Sequence, residues 1–175
     1  MRSTGLLMAA FGAALFVGGA EAQQPAAPNP LDVVPDTMPF DVPYGAPIDV
    51  AKAKSVIAAA EAEAKKRNWK LNIAVVDSGG NLVAFERMDG AQLASIVLSE
   101  HKARTAALYR RETKIFESGI QSGNSYLITL DGVIGSRDGI PLVENGKLIG
   151  AIGCSGGTGS QDEVGAKAGA AVINK

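Results

Sequence analysis

The sequence predicts an α+β domain in which an antiparallel sheet is flanked by helices. Three observations lead there. Two pairs of apolar runs, rich in branched residues, are each joined by a tight turn: Ser78-Gly79-Gly80-Asn81 in one, Glu144-Asn145-Gly146-Lys147 in the other. Such turns pair neighbouring strands antiparallel and leave no room for the crossover that a parallel pair requires. Segments with helical spacing precede, separate and follow the two hairpins.

Asp49 is placed to cap the first helix, whose apolar positions Val50, Ala53, Ile57, Ala60 and Ala64 recur at intervals of three and four. Lys65, Lys66 and Arg67 suit the negative end of its dipole. Residues 71–77 read as a strand and residues 82–87 as its return. A second helix is expected over residues 91–111. Residues 113–119 hold a short helical turn, and residues 125–130 are ambiguous. Residues 140–143 and 148–152 form the second hairpin, because Asn145 and Gly146 both tolerate positive φ. The last helix is expected over residues 161–173, with Ser160 and Glu163 as its capping box.

Residues 1–22 have the three parts of an export signal. Arg2 supplies the positive end, an uncharged apolar run follows, and Ala20-Glu21-Ala22 is the small-x-small pattern cleaved before Gln23. The run is shorter than the roughly 20 apolar residues a membrane span needs. We therefore expect a periplasmic or secreted protein with no membrane insertion after cleavage. Residues 23–47 hold seven of the eight prolines, which forces an extended course. This stretch is either a semi-rigid spacer or an arm across a neighbouring subunit, using Leu31, Val33, Val34, Met38 and Phe40. Residues 48–175 suffice for one domain with its own core.

The charges nearly balance, Lys and Arg 17 against Asp and Glu 18, which argues against a bulk grip on nucleic acid. A single cysteine, Cys154, excludes an internal disulfide. A single histidine means that any imidazole chemistry belongs to His101.

On a helical wheel His101 shares a face with Ala94, Val97, Leu98, Thr105, Leu108 and Tyr109, while Ser99, Ala103 and Arg110 fall on the far side. His101 is then either a core histidine satisfied by a hydrogen bond or an imidazole presented into an apolar pocket as a haem or metal ligand. Lys102 and Arg104 flank it as partners for ligand carboxylates, or simply form a solvated helix face. The second candidate is the glycine-rich run 150–160, containing Gly153, Cys154, Ser155 and Gly156. As a loop entering a helix it offers free N–H groups to an anion; as a tight connection it lets helix and sheet touch. It matches neither the Walker nor the dinucleotide pattern. Cys154 at a helix start would favour a thiolate nucleophile. Asp77, Glu86 and Asp89 show no spacing that selects a metal, and one His with one Cys makes zinc improbable.

Three ordered motifs resemble a known family. Residues 75–91 (VVDSGGNLVAFERMDGA) are similar to its first motif, and Lys102-Ala-Arg-Thr-Ala106 with Thr113 to its second. Residues 140–157 (IPLVENGKLIGAIGCSGG), followed by Gln161, Asp162 and Glu163, are similar to its third. Together they resemble the GlcG/HbpS family of haem-binding, also called haem-degrading, domains. The resemblance implies a profilin-like or PAS-like fold, assembly into homo-oligomers, and haem as ligand. It implies site residues among Lys102, Thr105 and Thr113, with His101 beside the motif as a candidate axial ligand. Asp138-Gly139 stands where two glycines are usual, and Cys154 where an apolar residue is usual.

The function this implies is an exported haem carrier, buffer or accessory sensor with at most weak haem-degrading activity. Two alternatives remain at this point. One is an enzyme acting on a small organic acid, with Gly153 to Ser160 as its oxyanion or carboxylate cradle. The other is an accessory subunit whose proline-rich arm docks on a periplasmic protein partner.

Overall fold

Both hairpins form: β1 (Asn72–Asp77) returns as β2 (Leu82–Arg87), and β3 (Ile140–Glu144) as β4 (Lys147–Ser155). Asn145 at φ 52° and Gly146 at φ 74° make the second turn. The two hairpins join through β1 and β4, giving an antiparallel sheet in the order β2-β1-β4-β3. The computed structural model describes residues 32–38 and 40–174. The export-signal reading and the first part of the proline-rich stretch lie outside the described residues. The chain divides into Met1–Thr37 and Met38–Lys175, and the second unit is the α+β domain. Among the described residues no helix is long and apolar enough to cross a membrane.

Side chains alternate across each strand, so the sheet has two different faces. Ile73, Val75, Ile152 and Cys154 meet α1 (Val50–Lys66) and α4 (Gly159–Ala170) in the larger core. The side chain of Asp49 caps α1 by accepting from Lys52 N at 2.8 Å. Ala53, Val56, Ile57, Ala60 and Ala64 form its buried stripe. Gly169 allows α4 to sit close, since a Cβ there would stand 2.8 Å from Val56 O.

The opposite face, with Ala74, Val76 and Ala151, meets α2 (Ser95–Tyr109) through Ala103, Ala106 and Ala107. Here the helical-wheel expectation is corrected. Ser99 and Ala103, placed on the far side, are fully buried, while Val97, Leu98 and Leu108 are exposed. The physical reason is size. A Cβ on Gly153 would lie 2.2 Å from Ser99 O and 2.6 Å from Ala103 N, so the helix backbone rests almost on the strand. Only small side chains fit such an approach, and the large apolar ones turn outward.

Three boundaries also move. The second helix starts at Ser95 rather than residue 91. The last helix is capped by Thr158 with Gln161 in a reciprocal box, not by Ser160 with Glu163, and ends at Ala170. Strand β4 runs on through Gly153 and Cys154 to Ser155, because these residues pair with Ala74, Ile73 and Asn72. The short helical turn expected over residues 113–119 is α3 (Lys114–Gln121), and the ambiguous residues 125–130 hold a 3-10 turn (Ser125–Thr129).

The end of the proline-rich stretch docks on this domain. Leu148 N donates to Pro43 O at 2.9 Å, and Gly45 N donates to Leu148 O at 2.7 Å. Tyr44 donates its hydroxyl to Leu108 O at 2.8 Å, and the Arg111 guanidinium lies 3.0 Å from the Phe40 ring centroid. Val33, Val34 and Met38 are exposed.

Candidate functional site

The turn between β1 and β2 stands against the outer side of α2. Asp77 shapes the turn by accepting from Gly79 N at 2.8 Å and Asn81 N at 2.9 Å. Gly80 takes φ 78°, and a Cβ there would lie 3.2 Å from Arg104 Cγ. Between turn and helix lies a cleft of about 350 Å³ whose lining includes Asn81, Leu82, Val97, Glu100, His101 and Arg104. His101 is half-buried there; of the residues expected to share its stripe, Val97, Leu98 and Leu108 face outward, whereas Thr105 is buried. Arg104 donates to Gly80 O at 3.3 Å. Among the described residues neither Arg104 nor Glu100 has an ion-pair partner. Leu82 and Val97 leave 51% and 68% of their surface open beside these polar groups. The arrangement offers an imidazole, an unpaired guanidinium and an apolar rim to one ligand.

Lys102, one residue along, turns into the interior. Its Nζ donates to Asp138 Oδ2 at 2.6 Å and to Cys154 O at 3.3 Å, with Asp162 Oδ2 at 3.5 Å. Asp138 also accepts from Cys154 N at 3.2 Å and holds φ 85°, a conformation side chains rarely adopt. Burial pushes its carboxyl well above the ordinary range, against the pull of the Lys102 ammonium. Asp162 accepts from Gly157 N at 2.8 Å. The Lys102 ammonium therefore serves an internal seam joining α2, β4 and α4, rather than a ligand carboxylate.

The two motif threonines are also inside. Thr105 Oγ1 donates to Gly132 O at 2.7 Å and accepts from Ile134 N at 3.3 Å. Thr113 Oγ1 accepts from Gly139 N at 2.9 Å. Each ties the irregular stretch after α3 to the domain.

The glycine-rich run divides. Gly153, Cys154 and Ser155 are strand residues, and Gly156 packs so tightly that a Cβ would meet Lys70 O at 2.2 Å. Only residues 156–158 remain between strand and helix, so the expected cradle shrinks to a tight connection. Cys154 is buried beside Gly165, and burial first, then the charges of Asp138 and Asp162, push its thiol well above the ordinary range. That corrects the expectation of a thiolate at a helix start. Cys154 faces α4 while His101 lies beyond α2 on the other side of the sheet, so the imidazole does not activate it.

Asp138 and Asp162 are the seam residues that sequence reasoning missed as Lys102 partners. The available signal was a lysine one residue off the His101 stripe, on a face otherwise built of Ser99, Ala103 and Ala106. No group of three or more metal-binding side chains occurs among the described residues. Any metal held at His101 would have to arrive with most of its own ligands.

Residues 48–171 match the family described as haem degrading protein HbpS-like. Protein GlcG of Escherichia coli K12 is 46% identical over 103 residues, covering 59% of this chain and 77% of that protein. Among solved structures, a double mutant of Streptomyces reticuli HbpS superposes with a TM-score of 0.68 at 27% identity, covering 88% of this chain and 99% of the other. The PduOC:haem complex superposes with a TM-score of 0.66 at 27% identity, covering 73% and 96%.

Proposed function

The chain belongs to the HbpS-like haem-degrading family, and from that premise we propose that it is an exported haem-binding protein, serving as carrier, buffer or accessory to a sensor. The position of His101 carries the reading. The chain's one imidazole lies on the outer side of α2 beside Leu82, Val97 and Arg104, and not in the core. These residue types fit an iron porphyrin: an apolar rim for the ring, a guanidinium for a propionate, and an imidazole for the iron. In this reading His101 would hold the iron, Arg104 would pair with a propionate, and Leu82, Val97 and Leu98 would meet the ring. The chemistry haem supplies when bound is redox change and small-ligand binding at its iron. A relative of the same fold solved with haem supports the assignment.

Export rests on the pattern of residues 1–22, and outside the cytoplasm haem is scavenged, buffered or sensed. Self-assembly and docking on a periplasmic protein belong to the same proposal. Titrating the mature protein, beginning at Gln23, with hemin tests it. We expect a saturable Soret shift with tighter binding than an unrelated exported protein of similar size shows. Binding no tighter than that protein's refutes the proposal.

A further inference from the structure

Residues 40–45, the end of the proline-rich stretch, lie ahead of the region the family matches, which begins at residue 48. They run from the C-terminal end of α2 to β4. At the helix, Tyr44 donates its hydroxyl to Leu108 O at 2.8 Å. Arg110 donates to Val42 O at 3.1 Å, with its guanidinium 5.4 Å from the Tyr44 ring centroid. At the sheet, Leu148 N donates to Pro43 O and Gly45 N to Leu148 O, so Tyr44 bridges to Leu148 in parallel. Two of these contacts answer needs of α2 itself. Leu108 O is among the last carbonyls of the helix, which its own N–H groups cannot reach. Arg110, which ends the helix, holds φ 54°, in the left-handed region that side chains rarely adopt.

From Leu108 a line of direct contacts reaches the His101 cleft. Gly80, in the β1–β2 turn, sits on that residue: a Cβ there would lie 3.3 Å from Leu108 Cγ and 3.2 Å from Arg104 Cγ. Gly80 O accepts from Arg104. Gly80, Asn81 and Leu82 form the turn side of the cleft, with Val97, His101 and Arg104 on the helix side. Residues 40–45 are meanwhile seated at the surface. Tyr44 is 49% exposed, and polar and cation–π contacts hold the segment rather than a buried apolar core. Such segments open at far smaller cost than the domain unfolds. Pro43 and Pro47 lower the entropy lost on closing again.

We propose that residues 40–45 are a strap with a docked and an open state, whose docking fixes the last turn of α2 and, through Leu108 and Gly80, the wall of the His101 cleft. Opening releases Leu108 O and Arg110, and the end of α2 relaxes. The turn then loses the seat that holds Asn81 and Leu82 against the helix. Coupling is reciprocal, so a ligand that needs the closed cleft also favours the docked strap. Anything that draws the arm off the domain thereby weakens the cleft's hold on its ligand. The coupling stands on contacts within the protein alone; that the ligand is haem rests on the haem reading of the site.

Hydrogen exchange of the ligand-free mature protein, compared between the unaltered chain and Tyr44→Phe, tests the coupling. The substitution removes the hydroxyl that holds Leu108 O and keeps the ring beside Arg110. Loss of one hydrogen bond should speed exchange about three- to tenfold at residues 44, 45 and 148, and also at residues 79–82. Exchange unchanged throughout, or faster only at residues 44, 45 and 148, overturns the coupling. Hemin titration of the same two proteins tests the regulation. We expect Tyr44→Phe to bind hemin several-fold more weakly with the visible spectrum of the unaltered chain. Bound hemin should in turn slow exchange at Gly45 and Leu148 of the unaltered chain. Equal affinity in both chains, with the turn loosened, overturns regulation of the site. If neither chain binds hemin while the turn loosens, the coupling is supported and the haem reading is overturned.

Discussion

Gly153→Ala distinguishes a packing contact from a ligand cradle. The new Cβ would stand 2.2 Å from Ser99 O, 2.6 Å from Ala103 N and 3.2 Å from Lys102 Cβ, whereas ordinary carbon contacts lie at about 3.5–4.0 Å. The two shortest contacts are to helix backbone, so no side-chain rotation relieves them. Helix α2 must rise from β4 by roughly 1 Å to restore ordinary separations. That lift loosens Ala103, Ala106 and Ala107 from Ala74, Val76 and Ala151. Overpacking typically costs about 1–3 kcal/mol, and with backbone on both sides we expect about 3 kcal/mol. For a domain of this size that lowers Tm by roughly 10–15 °C. Urea denaturation measures the change directly, and Gly146→Ala is the reference. A Cβ at Gly146 meets nothing within 4 Å, but φ is 74°, so that variant loses only the roughly 1 kcal/mol of a strained turn. A loss below about 1 kcal/mol for Gly153→Ala would refute the close seat of α2 on β4.

Lys102→Met leaves Asp138 and Asp162 buried without their cation, and should cost about 3–5 kcal/mol by urea denaturation; adding Asp138→Asn should recover part of that loss. Arg137 holds the Glu117 carboxyl below its ordinary value of 4.5, through contacts of 2.6 and 2.9 Å. The stability it contributes is thus present above that value and is lost as pH falls through the lower folded value. Wild-type denaturation midpoints should therefore fall below about pH 4.5 more steeply than those of Glu117→Gln, by roughly 1–2 kcal/mol in total. Cys154, buried and with its thiol pushed up, should resist iodoacetamide in the native protein at neutral pH and react fully in denaturant.

The hairpins and α1 were legible in the sequence because local chemistry decides them. Asn145-Gly146 fixes a turn whatever surrounds it, and Asp49 caps its helix with its own side chain. The orientation of α2 was not legible, because hydrophobicity and size point opposite ways there. Val97, Leu98 and Leu108 mark an apolar stripe, yet Gly153 brings the strand so near that only Ser99 and Ala103 fit. The continuation of β4 into Cys154 and Ser155 depends on pairing with β1, some eighty residues earlier, which no local pattern of glycines reveals. The seam was hidden for the same reason: Lys102, Asp138 and Asp162 are distant in sequence and meet only when three elements pack. His101 and Arg104 were legible as candidates, and their shared cleft emerged only with the fold.

Whether His101 meets haem iron is tested most directly by the visible spectra of hemin bound to the mature protein and to His101→Ala. With His101 as axial ligand we expect the variant to lose the wild-type Soret and visible bands and to bind hemin more weakly, while its circular dichroism is unchanged. An identical spectrum and affinity in the variant would contradict this.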